Sequence, residues 1–212
     1  MMINTIDALN WRYATKQFDP TRTLTPEQEH VVLETFRFSP SSYGLEPSKC
    51  VVIKNPEIRK RLREEAGGQP QFTDSSLLMV LCSLRTMDEK YVQTYIERIA
   101  QVRQIPLESL DGFKKMMLGF IGRLSPEQLK QWMQHQTYLA LGMVLATCAM
   151  NEIDACPMEG FDSKKFNEVL ELHKYGVEST VLCAIGFRMP DDPASKSKKV
   201  RPSEEELVIH VD

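Results

Sequence analysis

The chain has 212 residues, 42% hydrophobic and 26% charged, room for one domain with a substantial core and none of the bias that marks a disordered tail, a collagen-like fibre or a disulfide scaffold. A net charge of −3 argues against nucleic acid as the main partner, because phosphate-backbone binding relies on a basic surface. Cys50, Cys82, Cys148, Cys156 and Cys183 are odd in number, widely spaced and mostly set in apolar runs, so they read as buried thiols of a reducing compartment. With no CxxC and four scattered histidines (His30, His135, His173, His210), no metal site is expected. The N-terminus shows no basic stretch followed by an apolar one, so the expected location is the cytoplasm.

Ile6, Leu9 and Trp11 form a short amphipathic segment that leads into Arg12-Tyr-Ala-Thr-Lys-Gln-Phe-Asp19. Two cations within five residues read either as an anion clamp or as a solvated charge pair at a helix end. Thr25-Pro-Glu-Gln28 supplies an N-cap hydroxyl, a proline at the first helical position and a glutamine that reaches back, which predicts a helix to about Phe38. Ser39-Pro-Ser-Ser-Tyr-Gly-Leu-Glu-Pro47 is turn-rich, and Cys50 to Ile53 and Leu77 to Cys82 are apolar runs that read as buried strands. Ser125-Pro-Glu-Gln128 repeats the capping device ahead of Tyr138 to Met150, 13 residues that are apolar on every face. At that length it falls short of the ~20 residues a membrane span needs, so it is a helix covered by its own domain or partly by a second subunit.

Ala155-Cys-Pro-Met-Glu-Gly-Phe-Asp162 reads as a connection after that helix, with Gly160 allowing close backbone approach and Asp162 capping the next helix. Ser179 to Phe187 predicts a third strand, Lys196 to Pro202 a basic loop or anion site, and the alternating Leu207 to Val211 a last strand. Strands interleaved with helices, without a Gly/Ser/Pro-rich linker, predict one α+β domain over residues 1–212. The loop-like segments are 39–48, 67–75 and 189–203.

Each element is ambiguous alone. Their joint order, R-x-x-x-K-x-F at 12–18, S-P-S-S at 39–42, P-M-E-G-F at 157–161 and K-V-R-P at 199–202, resembles the FMN-dependent nitroreductase family from Arg12 to Arg201. The resemblance implies an α/β sandwich with helices around a central, mostly antiparallel sheet, in an interwoven homodimer with an FMN in each of two interface pockets. It implies that Arg12, Lys199 and Arg201 hold the FMN phosphate with donors from Tyr13 and Ala14, and that Lys16 lies at the flavin pyrimidine edge, where a fixed cation stabilises the charge of the reduced ring. The backbone of Glu159 or Gly160 would face flavin N5, Pro157 and Met158 would pack on the ring, and Pro40, Ser41, Ser42 and Tyr43 would come from the other subunit. Gln69 or Gln71 would read the pyrimidine edge, and the Met- and Phe-rich stretch 112–123 would form a mobile cover or the apolar face of an ordinary helix. Gly44 and Ser48 depart from the best-known branch, where asparagine and tryptophan are common. The implied activity is electron transfer from NAD(P)H through FMN to quinones, nitroaromatics or similar small acceptors by a ping-pong mechanism. The alternative is a non-catalytic FMN-binding dimeric scaffold. No nucleic acid, membrane or covalent nucleophile enters this reading.

Overall fold

Thr25 and Ser125 start their helices in the same way, each side chain accepting from the backbone N–H three residues on while Gln28 or Gln128 bonds back to the cap. They open α2 (Pro26–Arg37) and α7 (Pro126–Met150), both where the capping pattern predicted them. The structure, a computed structural model, describes residues 4–211. Before α2 stands α1 (Thr5–Trp11), and between α2 and α7 come α3 (Pro56–Glu64), α4 (Gln71–Asp74), α5 (Glu89–Arg103) and α6 (Asp111–Ile121). After α7 come α8 (Ser163–Val169), whose N-cap is Asp162 as expected, and α9 (Glu204–Leu207). No described helix is long and apolar enough to cross a membrane.

The strands β1 (Ser48–Ile53), β2 (Leu77–Leu84), β3 (Asp154–Met158) and β4 (Val177–Gly186) form one antiparallel sheet in the order β1-β2-β4-β3. All eight residues of β2 are buried, so its alternation divides the core rather than separating core from solvent. Leu77, Met79 and Leu81 pack with Val32 of α2 and Leu141, Val144 and Cys148 of α7. Leu78, Val80, Cys82 and Leu84 pack on the opposite side with Leu62, Phe72, Val92, Ile96 and Phe166. This is the helix-covered sandwich the sequence predicted. The five thiols are free; burial pushes those of Cys50, Cys82 and Cys148 up to about 12.

Two sequence expectations are corrected. Residues 155–158, read as part of a helix connection, belong to the edge strand β3, which tolerates Pro157 because an edge residue need not donate to a ladder on both sides. The expected strand at Leu207–Val211 is absent. The chain makes a helical turn at Glu204–Leu207, where Ser203 and Glu206 cap each other and three glutamates favour the helix start. The residues beyond it are exposed and find no strand partner among the described residues.

Candidate functional site

Residues 12–18 leave α1 in extended conformation and run beside the edge strand β3, with Ala14 bridging Ala155 and Phe18 bridging Arg188. Phe18 is buried beneath Gly186, where an added Cβ would lie 3.0 Å from both the Phe18 ring and the Ser76 nitrogen. The buried Asp154 carboxylate accepts from Thr15 Oγ1 (3.3 Å), Arg188 N (2.8 Å) and Arg188 Nε (2.7 Å). Arg188 Nη2 lies 2.6 Å from the same oxygen but is misaligned for a hydrogen bond. The Arg188 guanidinium stacks on Trp11 at 4.1 Å and Tyr13 at 4.6 Å, so charge and aromatic faces together hold this segment to the end of β4.

The basic loop returns to the same place. Lys199 Nζ donates to the carbonyls of Leu9 and Arg12 at the end of α1, and a cavity of about 300 Å³ is lined by Arg12, Tyr13, Ala14, Ser195, Lys199 and Arg201. Burial, then the charges of Arg12 and Arg201, lowers the Lys199 pKa, which places three cations in one another's field. Among the described residues none of the three pairs with a carboxylate. Like charges gathered with no carboxylate partner among the described residues make this cavity a candidate anion site.

Beside it, burial raises the pKa of the Cys156 thiol of β3, against the opposing charges of Lys16 and Arg12. Gln69 and Gln71 part company. Gln69 Nε2 is engaged with the carbonyls of Ala66 and Gly160, both at 2.9 Å. Gln71 is buried and its Oε1 has no hydrogen-bond partner among the described residues. Their loop is held from α3: the buried Arg59 donates to Phe72 O (2.6 Å), Ser75 O (2.7 Å) and Ser75 Oγ (2.5 Å), and Arg63 to Gly68 O (2.9 Å) and Thr73 Oγ1 (2.9 Å).

Alternation along β3 sends Met158 into the core, while Pro157 and the exposed Glu159 line a cavity of about 550 Å³ with Tyr138, Leu141, Leu145 and Val181. Tyr138 Oη donates to Glu159 Oε1 at 2.6 Å; burial first, then this carboxylate, pushes the phenol up to about 12. The 112–123 stretch is mostly α6, with Met117 buried, Phe113 against the core, Phe120 on Tyr43 (5.0 Å) and Trp132 (5.3 Å), and Met116 exposed.

Pro40, Ser41 and Ser42 do not join this group. Pro40 and Ser41 line a separate cavity of about 160 Å³ with Phe36, Pro47 and Gln136, which shares no residue with the cation cavity, and Ser42 N donates to Gln136 Oε1 at 2.9 Å. Tyr91 and Tyr95 of α5 fix this loop through bonds to the carbonyls of Leu45 (2.8 Å), Glu46 (3.0 Å) and Tyr43 (3.2 Å). Gly44 has φ +69, and a Cβ there would sit 2.2 Å from Tyr95 Oη. Gly44→Ala should therefore destabilise the protein by about 1–2 kcal/mol from the left-handed backbone alone, more if Tyr95 must move. Chemical denaturation of Gly44→Ala with and without Tyr95→Phe checks both parts; equal stability to the parent would remove this account of the glycine.

Sequence reasoning missed Asp154, Arg188, Arg59 and Asp192. Only Asp192 carried a local signal, since an aspartate before a proline marks a turn, and nothing in that signal shows where its carboxylate points.

A sheet covered by helices on both faces, with three cations from opposite ends of the chain that pair with no carboxylate among the described residues, defines an α+β protein with a candidate anion site. The family model "Nitroreductase family" matches residues 9–187, and the chain belongs to that family. It is 36% identical over 206 residues to the protein named "Putative NAD(P)H nitroreductase YfkO" of Bacillus subtilis (strain 168), covering 91% of this chain and 92% of that one. Among solved structures, the nitroreductase ydfN of Bacillus subtilis superposes with a TM-score of 0.86 at 18% identity, over 97% of this chain and 98% of that one. A structure from Exiguobacterium sibiricum 255-15, described as a nitroreductase in complex with FMN, gives 0.83 at 17%, over 99% and 98%. At those identities the superpositions establish the fold.

Proposed function

We propose that the chain is a cytoplasmic, homodimeric flavoprotein of 1–212 as one domain, which carries electrons from NAD(P)H through bound FMN to quinones, nitroaromatics or similar small acceptors. The observation that carries this reading is the cluster of Arg12, Lys199 and Arg201 in one cavity, on a segment that Ala14 bridges to Ala155 of the edge strand β3. The residues fit the group. Three cations without a carboxylate partner among the described residues suit a phosphate dianion, with Tyr13 and Ala14 on the same cavity wall. The orphaned, buried Oε1 of Gln71 suits a ring N–H donor. Gln71 is accordingly the pyrimidine-edge contact, and Gln69, already bonded to Gly160 O, steadies the turn instead. The relatives' name and the FMN-bound neighbour support the same cofactor and reductant.

When bound, FMN supplies an atom, N5, that accepts hydride from one substrate and passes it to the next, so donor and acceptor use one slot in turn. The protein's part is positional and electrostatic. Lys16 would place a positive charge where the ring gains electron density. Tyr138 holds the Glu159 side chain, and Gln69 the Gly160 carbonyl, which would steady the backbone amides that face N5 when the cofactor is bound. Pro157 offers its ring as a wall. No side chain is asked to act as nucleophile.

Three features support the dimer. Tyr138, Leu139, Met143 and Met150 of α7 are each about 40% exposed, apolar surface that a second subunit would cover. The outer edge of β1 has no strand partner among the described residues. The separation of Pro40–Ser42 from the cation cavity is the arrangement expected if each pocket draws that loop from the other subunit.

The visible absorption spectrum of the purified protein, with chromatography of any flavin released by heat, tests the cofactor. FMN near one per subunit is expected, followed by steady-state NAD(P)H oxidation with menadione. Flavin-loaded protein that is inert toward every acceptor would leave the scaffold reading; a protein that takes up no FMN would remove both.

A further inference from the structure

The C-terminal loop contains a buried carboxylate that touches neither the cation cavity's charges nor the Pro157–Gly160 turn, yet joins the two segments that build the cavity. Asp192 Oδ2 accepts from Tyr13 Oη (2.8 Å), Lys16 N (3.1 Å) and Gln17 N (3.3 Å), and Oδ1 accepts from Ala194 N (3.0 Å). Its carbonyl accepts from Ser195 Oγ at 2.7 Å and Ser195 N at 3.1 Å, setting the 3-10 turn Pro193–Lys196 that leads to Lys199 and Arg201. Burial works against the charge, but the bonds from Tyr13, Ala194, Lys16 and Gln17 outweigh it and hold the carboxyl below its usual range.

We propose that Asp192 is a positioning residue for the phosphate end of this site: it sets Tyr13 and the Arg12–Lys16 segment against the loop bearing Lys199 and Arg201, without contacting the ligand. The proposal rests on the FMN reading of the cavity. Simple electrostatics points the other way, because a carboxylate beside a phosphate site repels the ligand and would be selected against if it had no other work. Here the lone pairs are taken up by four donors from two segments far apart in sequence. Only an acceptor-only group can serve all four. Asparagine keeps the shape but turns an NH₂ toward one of the backbone N–H groups.

This opposition of signs makes the test decisive. Apo-protein of wild type, Asp192→Asn and Asp192→Ala is titrated with FMN and, separately, with riboflavin, which lacks the phosphate, while circular dichroism reports the fold. Positioning predicts that FMN binds about tenfold or more weakly in both variants, the scale of losing charge-assisted bonds, and that riboflavin loses less, so the preference for FMN shrinks. Tyr13→Phe, which removes one donor with little risk to folding, should weaken FMN in the same direction by a smaller factor. FMN binding that is unchanged or tighter in a folded Asp192→Asn, as removal of a repelling charge alone would give, overturns the proposal. So does an equal loss of FMN and riboflavin. Wild-type protein that takes up no FMN overturns the cofactor reading and this one with it.

Discussion

Replacing Arg12 and Arg201 together with alanine should leave a folded protein that loses its FMN during purification. Each charged donor to a phosphate contributes about 1.5–3 kcal/mol. Neighbouring cations on one ligand do not add independently, so the expected rise in Kd for the pair is at least about a hundredfold. The fold should not suffer: Arg12, Lys199 and Arg201 lie in one another's field with no carboxylate partner among the described residues, and removing two of them relieves repulsion in the apo-protein. The outcome is therefore a split, FMN affinity down and apo thermal midpoint unchanged or up, read by flavin fluorescence titration and calorimetry. High salt should mimic part of the loss in wild type by screening the same charges. An unchanged Kd would place the phosphate elsewhere on the molecule.

Phe72→Ala should be the most damaging single truncation for stability. The ring is fully buried, meets Phe166 edge-on at 5.8 Å, and sits in α4 between the orphaned Gln71 and Thr73. Truncating a phenylalanine in a packed core costs about 3–5 kcal/mol, which for a domain of this size lowers Tm by about 6–20 °C. The backbone carbonyl that accepts from Arg59 remains, so the loss is one of packing and not of the loop's hydrogen bonds. Loaded protein should recover part of the loss, since a ligand that binds only the folded state stabilises it. Calorimetry of apo and loaded Phe72→Ala checks this; a drop of less than a few degrees would mean the neighbouring rings collapse into the space.

Much of the fold was legible because its signals are local. Thr25-Pro-Glu-Gln28 and Ser125-Pro-Glu-Gln128 carry a capping device complete within four residues, and both helices start where it stands. The apolar runs that became β1, β2 and β4 are short and bounded by turn residues. Where a segment's state depends on a distant neighbour, the same reading fails. Residues 154–158 contain a proline and are too brief to show a period, and they are a strand because β4 and Ala14 lie alongside. Leu207 to Val211 have the alternation of a strand, but alternation without an adjacent edge leaves them unpaired.

The candidate site divides in the same way. The resemblance carried by the order of the motifs singled out Arg12, Lys16, the Pro157–Gly160 turn, Lys199 and Arg201, which residue by residue read equally as solvated charges and ordinary connections. Only the tertiary structure decided that Gln69 is spent on Gly160 while Gln71 keeps a bare oxygen, that Met158 points into the core, and that Pro40 to Ser42 lie at a different cavity. It alone brought Asp192 to Tyr13 and Arg188 between Trp11 and Asp154. A hydrogen bond between residues 179 apart leaves no mark on the sequence near either partner. The chain's local chemistry thus determined helices α2, α7 and α8, most of its sheet and the charges offered to a ligand, and the packing of the C-terminal loop on the segment after α1 determined where those charges meet.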